Sequence, residues 1–156
     1  MRTREISRMR AKFTVGAAVL AAITLLSSPS PVSAHHAFAA EFDANKPVKF
    51  TDATVTKVQL INPHSWIYVD VKLENGTVEN WAIEAGSPNI LLRRGITKDT
   101  IKKGDKIVVD GYQSKDGSKR ANGRDLTLPN GQQLFLGSTG TQAPYEVQRP
   151  GVDTVK

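Results

Sequence analysis

The 156-residue chain contains no cysteine. It therefore has no disulfide, no thiol nucleophile and no thiolate metal site, and whatever holds it together must be its apolar core. Histidine is almost as scarce, at three residues, and two of them are adjacent. No apolar run reaches the roughly 20 residues that a membrane-crossing helix needs. The longest, Phe13–Leu26, spans 14.

That short run belongs to a pattern. Arg2, Arg4, Arg8, Arg10 and Lys12 precede it with Glu5 as the single acid, and Val32-Ser33-Ala34 supplies small residues after a Ser/Pro break. A basic start, a short apolar stretch and a small-residue exit are the parts of a secretory signal. Residues 1–34 are accordingly expected to be a removed leader. With no twin-arginine pair ahead of the apolar run, the general secretory route to the periplasm is expected, leaving no stable membrane span. Removal matters for charge. The leader carries five basic residues and one acid, so the formal +6 of the whole chain falls to +2 over residues 35–156. Nucleic-acid binding, which rests on a concentrated basic surface, is thereby set aside.

The remaining 122 residues suffice for one core. Residues 35–47 read as an N-terminal arm, 48–138 as a β-barrel domain and 139–156 as a loose, polar, flexible tail. Strands are expected near 48–60, 65–73, 77–84, 106–112 and 124–136. Ser65–Leu73 carries the clearest signal: Ile67, Val69, Val71 and Leu73 alternate with Trp66, Tyr68, Asp70 and Lys72, the period of a half-buried strand. Asn75-Gly76 offers two positive-φ residues for a tight hairpin. Ser87 as cap, Pro88 at the first position and Gly95 as exit predict a helix near 88–94, with Ile90-Leu91-Leu92 as a plug. This order predicts an all-β protein, an OB-fold-like five-stranded Greek-key barrel with one short helix after strand three. A small open β-sandwich is the alternative.

The segments HHAFAAEFDANKPV, INPHSWIYVDV, WAIEAGSPNILLRRG and KKGDKIVVDGYQSKDGSKRANGRDLTLPNGQQLF resemble the bacterial domain-of-unknown-function family 6152. The resemblance runs from His35 to about Gly137 and implies an exported, OB-like protein. It supplies no activity. The Gly-Asp turn into an alternating strand is also similar to the exported haem chaperone of cytochrome c maturation. That protein's haem-attaching histidine has no counterpart here, so haem carriage does not transfer.

Cleavage after Ala34 makes His35 the first residue. Its free amine and ring nitrogen can chelate one metal ion, and a third nitrogen from His36 or His64 completes a set suited to Cu(II). The arrangement resembles the histidine brace of lytic polysaccharide monooxygenases and of some periplasmic copper carriers. His35, His36 and His64 are therefore the candidate metal ligands and copper the candidate cofactor. The arm is expected to fold back toward His64, with Phe38 and Phe42 anchoring it on apolar surface or covering Trp66 and Tyr68. Those two aromatics, on the outer face of strand two, are the candidate ligand face for a glycan, small ligand or periplasmic protein partner. Lys119, Arg120 and Arg124 read as a solvated loop, and Trp81 as core. No carboxylate pair or nucleophile–base sequence is identifiable. The functional expectation is thus a non-enzymatic periplasmic binding protein, with a metal-free interaction module and, behind both, a copper-dependent oxidative enzyme as alternatives.

Overall fold

The computed structural model describes residues 38–138 and 141–148. The proposed leader, His35 and His36 lie outside the described residues. A four-residue helix, α1 (Phe38–Glu41), leads into strands β1 (Phe42–Gln59), β2 (Ser65–Lys72) and β3 (Val78–Ala85). Helix α2 (Pro88–Arg93) follows, then β4 (Lys106–Ser114), β5 (Arg120–Thr127), β6 (Gln133–Phe135) and helix α3 (Pro144–Gln148).

Five strands close into a ring. β1 pairs antiparallel with β2 on one side and β4 on the other, β2 with β3, and β4 with β5. A short parallel pairing of β3 with β5, at Ala82–Arg120, Ile83–Ala121 and Glu84–Asn122, completes the circuit. β6 adds a hairpin to β5 outside the ring. This is the expected Greek-key OB-like barrel, with the helix after strand three. β1 serves both neighbours because it is long and broken three times in register, between Phe42 and Pro47, between Phe50 and Ala53 and between Val55 and Lys57. Such irregularities let one strand bend across a barrel.

The alternation in β2 is realised residue by residue: Ile67, Val69 and Val71 are buried, while Trp66, Tyr68 and Asp70 are half-buried outside. They meet Val55, Ile83, Ile107, Val109 and Leu126 in the interior, with Trp81 also core as expected. Each fully buried aliphatic side chain is worth about 1.5–3 kcal/mol of transfer free energy, so this cluster carries the barrel. Of the predicted plug only Leu91 is fully inserted, and Leu92 is exposed.

Local chemistry corrects three expectations. Ser87 makes no side-chain capping bond to α2, whose exit does follow Gly95 at φ 78°, with Ile96 N–H donating to Leu91 O. In the β2–β3 turn only Gly76 has positive φ, at 83°. It is therefore a three-residue loop, with Asn75 Oδ1 accepting from Thr77 N–H, rather than a two-residue turn. β1 begins at Phe42, ahead of the expected Val48, because Pro47 sits at a register break that spares its missing N–H.

The ends of the described chain form a second apolar cluster. Phe38 and Phe42 pack with Tyr112, Ala143 and Tyr145, and Phe135 lies against them. The Phe38 and Tyr112 rings meet edge-on at 5.4 Å, as do Phe135 and Tyr145 at 5.5 Å. Phe38 N–H donates to Thr141 O, tying the two ends together. Residues 141–148 thus form a strap docked on the barrel, where a loose tail was expected: Tyr145 is 1% exposed. Glu146 secures the strap's turn by accepting from Thr141 and Gln142 N–H.

Candidate functional site

His64 ends the β1–β2 connection, directly before β2. The register of the barrel decides what it meets. Glu84 lies opposite Trp66 across β2–β3 and opposite Asn122 across the parallel β3–β5 seam. Both therefore belong to the outer face of the barrel, where α1 and the strap cover them. Glu84 Oε1 stands 3.0 Å from His64 Nδ1, with the two side chains 7% and 14% exposed. Asn122 Nδ2 donates to the same Glu84 oxygen at 3.4 Å, and Tyr145 OH donates to Asn122 Oδ1 at 2.9 Å. Gly111 makes the arrangement possible on the far side, because a Cβ there would collide with the Asn122 carbonyl.

One nitrogen is left over. His64 Nε2 is buried and makes no hydrogen bond. His64 also lines a cavity of ≈ 10 Å³, together with Phe38, Glu41, Phe42, Glu84, Asn122 and Thr141. That is about the space of one water-sized sphere. A histidine whose Nδ1–H is held by a carboxylate and whose Nε2 is bare has the orientation typical of a metal ligand or a proton acceptor. Among the described residues no group of three His, Asp or Glu is placed to hold a metal ion.

Glu84 also sets the charge of His64. Its hydrogen bond, and behind it the negative charges of Glu84 and Glu41, raise the imidazole above its ordinary 6.5 against the burial that lowers it. The stabilisation gained from this raised pKa is fully present below 6.5, where the ring is protonated in both states. It is lost as pH rises through the folded-state value. Metal-free protein is thus expected to lose this increment as pH rises from about 6.5 through the raised folded-state value. Urea-unfolding midpoints of wild type and Glu84→Gln, compared from about pH 5 to about pH 9, should converge as pH rises. A constant difference would show that the pair contributes nothing pH-dependent.

The other candidates fall elsewhere. Trp66 and Tyr68 are half-buried on the outer face of β2, with Lys57 Nζ 5.3 Å above the Tyr68 ring. Phe38 and Phe42 cluster with Tyr112 and Tyr145 instead of covering them. The expected basic loop is divided: Lys119 pairs with Glu79 at 2.6 Å, and Arg124 sits in β5, paired with Asp110 and Asp125. Glu84, Asn122 and Tyr145 were not singled out from sequence. Glu84 had a signal, as the one acid in Trp81-Ala-Ile-Glu-Ala85, the otherwise apolar second half of β3. Tyr145 had none.

No helix among the described residues is long and apolar enough to cross a membrane. No curated protein and no solved structure matches the chain. The model of one family does, over residues 21–123, a stretch that takes in His35, His36, His64, Glu84 and Asn122 and stops short of the strap. With two thirds of its length covered, the chain belongs to the family of unknown function DUF6152.

Proposed function

We propose that the chain is an exported periplasmic binding protein that holds one Cu(II) through the amine and ring of His35, with His64 Nε2 as the third nitrogen and His36 as its nearest competitor. The observation that carries this reading is the bare, buried Nε2 of His64, oriented from behind by Glu84, beside a cavity that Phe38 also lines. Phe38 is three residues from His35. At about 3.3–3.6 Å per extended residue, His35 lies within roughly 11 Å of Phe38. The cavity's size favours a single ion over a sugar ring or peptide side chain. The competing reading, a metal-free module gripping a protein or glycan with Trp66 and Tyr68, has only the Lys57–Tyr68 contact in its favour.

The test is to export the protein, verify by intact mass that it begins at His35, and titrate it with Cu(II). One copper per chain, with nitrogen couplings in its electron paramagnetic resonance spectrum, is expected. Protein that retains residues 1–34, or that binds no copper beyond a His35→Ala control, would overturn the proposal.

A further inference from the structure

A second cavity, of ≈ 290 Å³, opens on the outer face of β1, β4 and β5 and shares no lining residue with the cavity at His64. The register of the three strands builds it. Lys49 lies opposite Asp110 across β1–β4, and Asp110 lies opposite Asp125 across β4–β5. Two acids directly opposite each other repel. The β4–β5 register slips at this point: Asp110 faces Asp125 and Gly111 faces Gly123, so Arg124 is the extra residue of a bulge. Its guanidinium is set between the two acids, with Nη2 2.7 Å from Asp110 Oδ1 and Nε donating to Asp125 Oδ2 at 3.0 Å.

The ion pairs leave three polar groups unused. Asp110 Oδ1 is buried against Arg124 without a hydrogen bond, whereas Oδ2 makes none either and faces solvent. Among the described residues nothing pairs with Arg124 Nη1 or with the exposed Lys49 ammonium. Burial raises the Asp110 carboxyl above its ordinary 3.8 although Arg124 opposes the shift, as expected of a carboxylate short of donors. One acceptor and two donors thus meet at one groove, and the charges of Lys49 and Arg124 offset those of Asp110 and Asp125. An ion of either sign gains no net attraction there. A hydroxyl donates once and accepts twice. A ring bearing several hydroxyls can therefore serve all three groups and lay its C–H face on Pro47, which is exposed beside them. The volume is at the lower end of the roughly 300–1,000 Å³ of small-molecule sites, which suits one ring. We propose that this groove binds a single neutral sugar, a role that involves neither His64 nor copper and goes beyond the function proposed above.

The test uses the whole chain, labelled with ¹⁵N and free of added metal, titrated with glucose, galactose and mannose and with the corresponding uronates. At least one of the neutral sugars should shift the Lys49, Asp110 and Arg124 amides saturably, and should bind more tightly than its uronate. Lys49→Ala removes an exposed side chain that makes no ion pair, so the fold should survive it. Its affinity for the sugar should fall about 10-fold, the loss of one hydrogen bond to a charged group. Asp110→Asn leaves the four side chains with one net positive charge and should reverse the preference, so that the uronate binds more tightly than the sugar. No localised shift with any of the three sugars, shifts centred on Trp66 and Tyr68, or a wild-type preference for the uronates would each overturn the proposal. So would wild-type affinity in Lys49→Ala, which keeps the test decisive where Asp110→Asn does not fold.

Discussion

Mature protein carrying one extra residue ahead of His35 is expected to bind Cu(II) at least about 100-fold more weakly than protein that begins at His35. Loss of a direct ligand should cost no less than the roughly 10–100-fold seen for groups that merely orient one. The extra residue turns the His35 amine into a peptide nitrogen, whose lone pair is delocalised into the amide. The free amine, with a pKa of about 7.7–8.0, gives up its proton to a metal at modest cost near neutral pH. His64→Ala should weaken binding as well, though less, because it removes one nitrogen and leaves the His35 chelate whole. Thermal stability offers a second readout. At a free copper concentration 100-fold above the dissociation constant, binding stabilises the fold by about 2.7 kcal/mol. A 100-fold weaker site gains only about 0.4 kcal/mol under the same conditions. For a domain of this size the difference corresponds to roughly 10 °C in melting temperature. Equal copper-induced shifts in the native and extended forms would eliminate the N-terminal chelate.

The parts of this site differed in how far local pattern could reveal them. The β2 strand declares itself because alternation over Ser65–Leu73 is a local consequence of one face meeting a core. Gly95 likewise marks the end of α2 because a left-handed residue there carries almost no steric cost for glycine. His64 drew notice by rarity. Its partner Glu84 could not be assigned to it, since the two meet only after β2 and β3 pair in one particular register. Asn122 is further removed. It reaches Glu84 through the parallel β3–β5 seam, a contact between residues 38 positions apart that no short-range period encodes. The strap leaves no sequence signature, for a related reason. Half of the eight residues Thr141–Gln148 are polar, and the stretch is too short for its apolar residues, of which Ala143 and Tyr145 are buried, to declare a repeating face. Sequence periodicity reports on elements that bury a repeating face, and a strap anchored at two points has none.

Phe42→Ala is expected to undock α1 and the strap from the barrel, and so to separate the two apolar clusters. Phe42 is 3% exposed, and its ring lies 5.8 Å from that of Phe38, which in turn meets Tyr112 edge-on. Removing a buried phenylalanine side chain costs about 3–5 kcal/mol where the surroundings cannot collapse into the gap. Here they can respond in another way. The second cluster holds only five buried side chains, Phe38, Phe42, Tyr112, Ala143 and Tyr145, and three of these lie on α1 or the strap. The barrel interior draws on none of them. When α1 and the strap undock, the loss is capped at the free energy of docking, while the five-stranded ring persists. Hydrogen exchange should therefore show the Phe38 and Glu146 amides, bonded to Thr141 O and Ala143 O, losing protection together. Amides of β2 and β3, such as Val69 and Trp81, should keep theirs. Because Phe42 also lines the His64 cavity, the same variant should bind copper weakly despite an intact barrel. Uniform loss of protection across β2, β3, α1 and the strap would show instead that the two clusters unfold as one.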